Sequence, residues 1–119
     1  MRYHGLVEAE FEAGHYLPGD ARCGLREHGH RYLVQVKVAG RMQREGLSVD
    51  LDLLRSDWTA IIREFDGRPL QDMMPGVSTT PFGIARYLLE RMLGSWPSVQ
   101  EVTVWERPGV GATVSQEET

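Results

Sequence analysis

The sequence has little cysteine, no long hydrophobic run and no concentration of positive charge. Cys23 is the single cysteine among 119 residues, so no disulfide forms within the chain and a reducing compartment is expected. No apolar stretch approaches the length that spans a bilayer, and the first residues lack the apolar core of a signal peptide. The 13 lysines and arginines are dispersed in a chain of net charge −4. These absences predict a cytoplasmic protein without nucleic-acid or membrane partners.

The composition is that of an ordinary globular domain. Hydrophobic residues make up 41% of the chain and charged residues 25%. Because no repeat, linker or low-complexity tract interrupts the sequence, residues 1–119 are predicted to form a single domain.

Two segments alternate between apolar and polar residues, which predicts strands with one buried face. In the first segment, apolar residues at positions 7, 9, 11 and 13 alternate with glutamates. In the second, apolar residues at positions 32, 34, 36 and 38 share a face, and Gly40 ends the strand. Val102 and Val104 predict a third strand and residues 112–114 a short fourth, with a turn at 108–111.

Two helices are predicted between the second and third strands. Asp50 is a good N-cap because its carboxylate can accept from the free N–H groups of a first turn, and the segment 66–69 (DGRP) ends that helix. Thr80 caps the second helix, which starts with Pro81 and ends at Gly94. The order β-β-α-α-β-β predicts an α+β fold, a four-stranded antiparallel sheet with two helices on one face.

Three of the four histidines share the parity of the buried strand faces. His15 continues the apolar face of the first strand, and His28 and His30 continue that of the second. Three nitrogen ligands that leave a fourth position open are typical of catalytic zinc. The alternative is that each is a half-buried histidine with an ordinary hydrogen bond.

Cys23 and Glu106 complete the candidate site. Cys23 lies between two arginines, Arg22 and Arg26, so a lowered thiol pKa would make it a nucleophile or base; it could also be a small buried hydrophobic residue or a fourth zinc ligand. Glu106 continues the apolar face of the third strand, where its carboxylate could bind the N–H pair of an amino-pyrimidinone ring. The alternative for Glu106 is a bond to a backbone amide or to Arg107.

These residues resemble the 6-pyruvoyl/6-carboxytetrahydropterin synthase family in order and spacing. The resemblance covers nearly the whole chain and rests on FEAGH at 11–15, Cys23, HGHRY at 28–32, GLSVDL at 46–51, VSTT at 77–80 and VTVWE at 102–106. It implies the T-fold, in which trimers join their sheets into a barrel, commonly stack as hexamers and form active sites between subunits.

The resemblance also implies a reaction. The substrate would be 7,8-dihydroneopterin triphosphate, from which triphosphate is eliminated with rearrangement or cleavage of the side chain. Zinc on the three histidines would make a C–H bond of the substrate more acidic, and the Cys23 thiolate would remove that proton. By the same resemblance, Asp66 would belong to the proton relay, and Thr79, Thr80 and Glu106 would hold the pterin ring.

Two departures from the family pattern are expected to matter. The relay histidine that follows the aspartate is replaced by Gly67, and one of two ring-anchoring glutamates is replaced by Phe82. Three hypotheses follow: a pterin side-chain lyase, a different reaction or substrate on the same zinc scaffold, or a non-catalytic zinc or pterin-binding protein. The first two would be enzymes, and all three would be homotrimers or homohexamers.

Overall fold

The computed structural model describes residues 1–15 and 28–116, and at positions 15, 28 and 29 it describes the backbone. Within these ranges the chain forms, in order, β1 (Tyr3–His15), β2 (His28–Gly40), β3 (Met42–Gln43), β4 (Gly46–Leu47), α1 (Leu51–Arg63), α2 (Leu70–Met73), α3 (Pro81–Leu93), β5 (Val99–Arg107) and β6 (Val110–Ser115). None of the helices in the described ranges has the length and apolar character needed to cross a membrane.

The main sheet has the strand order β1-β2-β5-β6, and each neighbouring pair is antiparallel. β3 and β4 form a separate two-stranded hairpin, since their two-residue strands pair with each other. The predicted α+β fold with a four-stranded antiparallel sheet is therefore confirmed. The hairpin β3–β4 and the four-residue helix α2 are additions to the predicted order.

The core lies between the helices and one face of the sheet. The alternating apolar residues of β2 form the centre of that face, and Val34, Val36 and Val38 are fully buried there. Trp58 of α1 packs on this layer and its indole Nε1 donates to the carbonyl of Val34 at 3.4 Å. Alternation of side chains along β2 thus explains both the buried valines and the polar residues on the opposite face.

The helices begin where their caps predict. Asp50 accepts from the backbone N–H groups of Asp52 at 3.0 Å and Leu53 at 3.1 Å. Thr80 accepts from the N–H of Gly83 at 3.4 Å at the start of α3. Each side chain satisfies N–H groups that have no partner within the helix.

Two element ends differ from the sequence-based prediction. α1 ends at Arg63, before the DGRP segment, because Phe65 leaves the helix to become fully buried in the core. β6 begins at Val110 rather than at residue 112, so the turn between β5 and β6 is shorter than predicted. Gly109 has a φ of +82°, a left-handed conformation that lets a tight turn reverse the chain directly.

Candidate functional site

The backbones of β1 and β2 bring the three predicted histidine ligands together in register. His15 is the cross-strand partner of His28, and Ala13 is the partner of His30. His28 and His30 are two residues apart on β2, so the three positions share one face of the strand pair. In the part of the chain whose side chains are described, no group of three metal-ligating residues occurs. Of these histidines, His30 is the one with a described side chain.

Glu106 of β5 faces His30 across the sheet. Its Oε1 lies 2.9 Å from His30 Nε2, and both side chains are mostly buried, with 13% of His30 and 20% of Glu106 exposed. The shared parity of Glu106 with Val102 and Val104 places it on the buried face, as the alternation predicts. A polar pair at this depth is stable because each group partners the other.

Tyr32 packs against His30 on the buried side of this pair. Its ring meets the His30 imidazole edge-on, with ring centroids 5.7 Å apart, and stacks on Phe11 at 4.9 Å. Burial raises the pKa of the Tyr32 phenol above its usual range, and the negative charge of Glu106 raises it further. A phenol whose pKa is raised in this way is neutral at physiological pH.

A cavity of about 420 Å³ opens beside His30 at this end of the sheet. Its lining comes from β1, β2 and the loop after α1: Glu12, Ala13, Gly14, His30, Arg31 and Gly67. Gly67, the residue that departs from the family pattern, thus lies at the same cavity as a predicted metal ligand.

The loop after α1 contacts β1 through its backbone and through Asp66. Asp66 Oδ1 accepts from the backbone N–H of Glu12 at 2.9 Å, and the N–H of Gly67 donates to the carbonyl of Glu12 at 2.7 Å. The carboxylate that was expected in a proton relay therefore bonds to a strand. Sequence reasoning missed this contact, since Asp66 and Glu12 are 54 residues apart and share no local pattern.

The predicted ring-binding threonines lie at a different place, the N-terminus of α3. Thr79 is buried with 5% exposed, and the hydroxyl of Thr80 lies 2.9 Å from that of Ser78. The preceding loop approaches α3 so closely that a Cβ on Gly83 would lie 1.9 Å from the Ser78 carbonyl oxygen, so this position requires glycine. Phe82, which stands where the family pattern has a glutamate, is 65% exposed.

Thr80 and Phe82 line a cavity of about 490 Å³ that, among the described residues, shares no lining residue with the cavity beside His30. Within one subunit the structure therefore brings His30, Glu106 and Gly67 to one region and places Thr80 at another. Cys23 lies outside the described residues.

Arg31 and Tyr32 were not predicted as site residues. Arg31 Nη2 lies 3.2 Å from Glu12 Oε1, and these two residues are direct cross-strand partners. The sequence places opposite charges on the solvent-exposed faces of two predicted strands, which is a signal for this pair. Which charges face each other follows only from the register of the two strands.

Comparison with known proteins identifies relatives of the chain. A family model described as 6-pyruvoyl tetrahydropterin synthase matches residues 5–117. A protein of Archaeoglobus fulgidus, provisionally assigned as a 6-carboxy-5,6,7,8-tetrahydropterin synthase, is 28% identical over 68 residues. That match spans 57% of this chain and 58% of the relative.

Solved structures share the fold. The 6-pyruvoyl tetrahydropterin synthase of Caenorhabditis elegans matches with a TM-score of 0.85 and 22% identity, over 98% of this chain and 97% of that one. The Plasmodium vivax 6-pyruvoyl tetrahydropterin synthase matches with a TM-score of 0.78 and 19% identity, over 99% of each chain.

Proposed function

The chain belongs to the 6-pyruvoyl tetrahydropterin synthase family, and we propose that it is a zinc-dependent lyase of 7,8-dihydroneopterin triphosphate. The observation that carries this proposal is the β1–β2 register, which pairs His15 with His28. His30 follows two residues later on β2, so all three positions lie at the same end of the strand pair. A cavity opens beside His30, so a small substrate has room at the proposed metal site.

The residues present fit a zinc ion. His15, His28 and His30 would hold it, since three imidazoles on one face of a strand pair are a common donor set for catalytic zinc. Glu106, 2.9 Å from His30, supplies the carboxylate that usually accompanies a metal-binding histidine. Zinc held there would act as a Lewis acid toward an oxygen of the substrate side chain.

The other residues would bind the ring and move protons. Cys23 would act as the base that removes a proton from the substrate side chain. Glu106 would accept hydrogen bonds from the N–H pair of the pterin, because its carboxylate lies 2.9 Å from His30 and is 20% exposed. Thr79 and Thr80 would contact the ring from a second direction.

The separation of the two cavities supports an active site formed between subunits. Thr80 lies at the N-terminus of α3, and His30 lies at the end of the sheet by β1 and β2. A neighbouring subunit that presented its α3 N-terminus to the His30 cavity would bring both groups to one substrate. The separation thus favours a homotrimer or homohexamer.

We expect the protein to sediment as a trimer or hexamer at micromolar concentration. β1 and β6 are the outer strands of the described sheet, and each carries an exposed apolar residue, Leu6 at 53% and Val110 at 40%. Strand edges pair readily with another chain where no loop of their own chain covers them, as the loop after α1 does at Glu12, and this pairing gives the driving force for assembly. Analytical ultracentrifugation over a dilution series measures the state, and a stable monomer throughout would contradict the prediction.

A second candidate is a different reaction on the same zinc scaffold. Two observations favour it: Gly67 offers no side chain to the His30 cavity, and Phe82 exposes an apolar ring where the family pattern has a carboxylate. A substrate that needs no proton relay, or that has an apolar group near Phe82, would suit these changes.

Incubation of zinc-loaded protein with an equal molar amount of 7,8-dihydroneopterin triphosphate tests the proposal. We expect slow formation of a product that has lost triphosphate, detected by mass. Glu106→Gln is the matched control, because it keeps the size of the side chain but loses one acceptor, and we expect substrate affinity to fall by about tenfold.

The zinc content of both proteins must be equal for this comparison. If the protein neither binds the substrate nor forms product, the second candidate is favoured. Tight binding without turnover would instead indicate a non-catalytic pterin-binding protein.

A further inference from the structure

The segment 65–67 holds the end of β1 from its outer edge. Phe65 packs its ring on Phe11, with centroids 5.4 Å apart. Asp66 and Gly67 then bond to the N–H and the carbonyl of Glu12, at 2.9 and 2.7 Å. Consecutive residues of one loop thus bind consecutive residues of one strand, through apolar packing and through both backbone groups of Glu12.

β1 needs such support because it is an outer strand of the described sheet. The backbone N–H and carbonyl of Glu12 that face away from β2 bond to Asp66 and Gly67, which take the place of a partner strand at this residue. An outer strand without partners frays toward its end. The bonds at Glu12 lie three residues before His15, the last residue of β1.

From these contacts we infer that Asp66 is a positioning residue, which keeps the end of β1 in the register that sets His15 opposite His28. The inference rests on the proposed metal site, and it assigns Asp66 a role other than the proton relay that the family resemblance implies. In place of a role in proton transfer, the carboxylate acts through the strand. The absence of an imidazole at Gly67 agrees with this role, because Asp66 has no neighbouring relay histidine to orient.

Asp50 offers a matched comparison within the same chain. Like Asp66, it is an exposed carboxylate that accepts from backbone N–H groups, those of Asp52 and Leu53. It lies at the other end of β1, where Leu51 packs close to Gly5. Glu12 is seven residues from Gly5, about 23 Å along a strand. Loss of either carboxylate should lower stability, but only loss of Asp66 should disturb the histidine end.

The experiment uses cobalt(II) as the metal probe on the full chain, with three variants: Asp66→Ala, Asp66→Asn and Asp50→Ala. We expect Asp66→Ala to weaken cobalt affinity by about tenfold, in line with the effect of residues that orient metal ligands, and to change the cobalt absorption spectrum. Asp66→Asn should restore both, because its amide oxygen can accept from Glu12. Asp50→Ala should bind cobalt as the unaltered protein does.

Hydrogen exchange at the Glu12 amide measures the strength of its bond to Asp66 in protein without metal. We expect faster exchange in Asp66→Ala than in the unaltered protein and in Asp66→Asn. Unchanged exchange and unchanged cobalt affinity in Asp66→Ala would overturn the inference. So would an Asp66→Asn protein that binds cobalt normally but has lost turnover, since that result assigns the charge a role in proton transfer. Absence of cobalt binding in the unaltered protein would instead overturn the proposed metal site, and the positioning role with it.

Discussion

Substitution of His30 by alanine is expected to leave the purified protein almost without zinc. The unaltered protein should carry about one zinc per subunit, because three imidazoles suffice for a catalytic site. Loss of His30 removes one of the three proposed ligands and also leaves the Glu106 carboxylate without the imidazole that lies 2.9 Å away. We expect the same loss for His28→Ala and, in both variants, loss of turnover to the level without metal.

His4→Ala is the control for this prediction. His4 lies on β1 opposite Ala39, eleven residues from His15 and therefore about 36 Å along the strand. Its zinc content should equal that of the unaltered protein. Metal analysis of protein purified without added chelator measures all three variants, and circular dichroism confirms that each is folded. Near-stoichiometric zinc in both His28→Ala and His30→Ala would contradict the three-histidine site.

The strands and their buried faces could be predicted from the sequence because each depends on neighbouring residues alone. Alternation along β2 predicts the inward face of Val34, Val36 and Val38, and all three are fully buried. Alternation along β5 likewise places Glu106 on the face of Val104, where it meets His30. Parity is a local property, so no knowledge of the partner strand was needed.

The contacts between distant segments could not be predicted in this way. The pairing of His15 with His28 depends on the β1–β2 register, which twelve intervening residues do not determine by pattern. The bond from the Glu12 amide to Asp66 joins residues 54 apart. The site was therefore predicted as a set of residue types on one face, while the arrangement of Asp66 came from the structure.

Short elements and irregular pairing were also beyond the sequence signal. β3 and β4 have two residues each and α2 has four, which is too few for a period of 2.0 or 3.6 to show. A register shift between Trp105 and Arg107 interrupts the β5–β6 ladder next to Glu106. Such a bulge re-aims side chains near its position and has no simple pattern in the sequence.

Gly67 is the residue from which the largest gain of activity is expected. It lines the cavity beside His30 and has a φ of +71°, and a Cβ added there would meet no atom of the described residues within 4 Å. A histidine there costs about 1 kcal/mol of stability because of the left-handed backbone, although histidine adopts this conformation more readily than most residues. The N–H bond from position 67 to the Glu12 carbonyl involves the backbone and should persist.

We expect Gly67→His to raise the single-turnover rate on 7,8-dihydroneopterin triphosphate. General acid–base catalysis typically raises a reaction rate about 10²–10⁴-fold. A histidine placed in an existing cavity should recover part of this and raise the rate at least about tenfold. Substrate affinity should change little, because the three proposed zinc ligands and Glu106 are unaltered. Gly67→Asn is the control, since asparagine tolerates the same backbone conformation but its amide neither takes up nor releases a proton near neutral pH.

The comparison of the three proteins separates proton transfer from simple filling of the cavity. A rate gain in Gly67→His that rises and falls with pH near the titration range of histidine, and no gain in Gly67→Asn, would establish the imidazole as the active group. An equal gain in both variants would indicate that filling the cavity orders the substrate. Fast turnover in the unaltered protein, or no gain in Gly67→His despite intact binding, would show that the site moves its protons by another route. A reaction other than triphosphate elimination at the proposed zinc site would then become the better explanation, since the cavity beside His30 would be complete without a side chain at position 67.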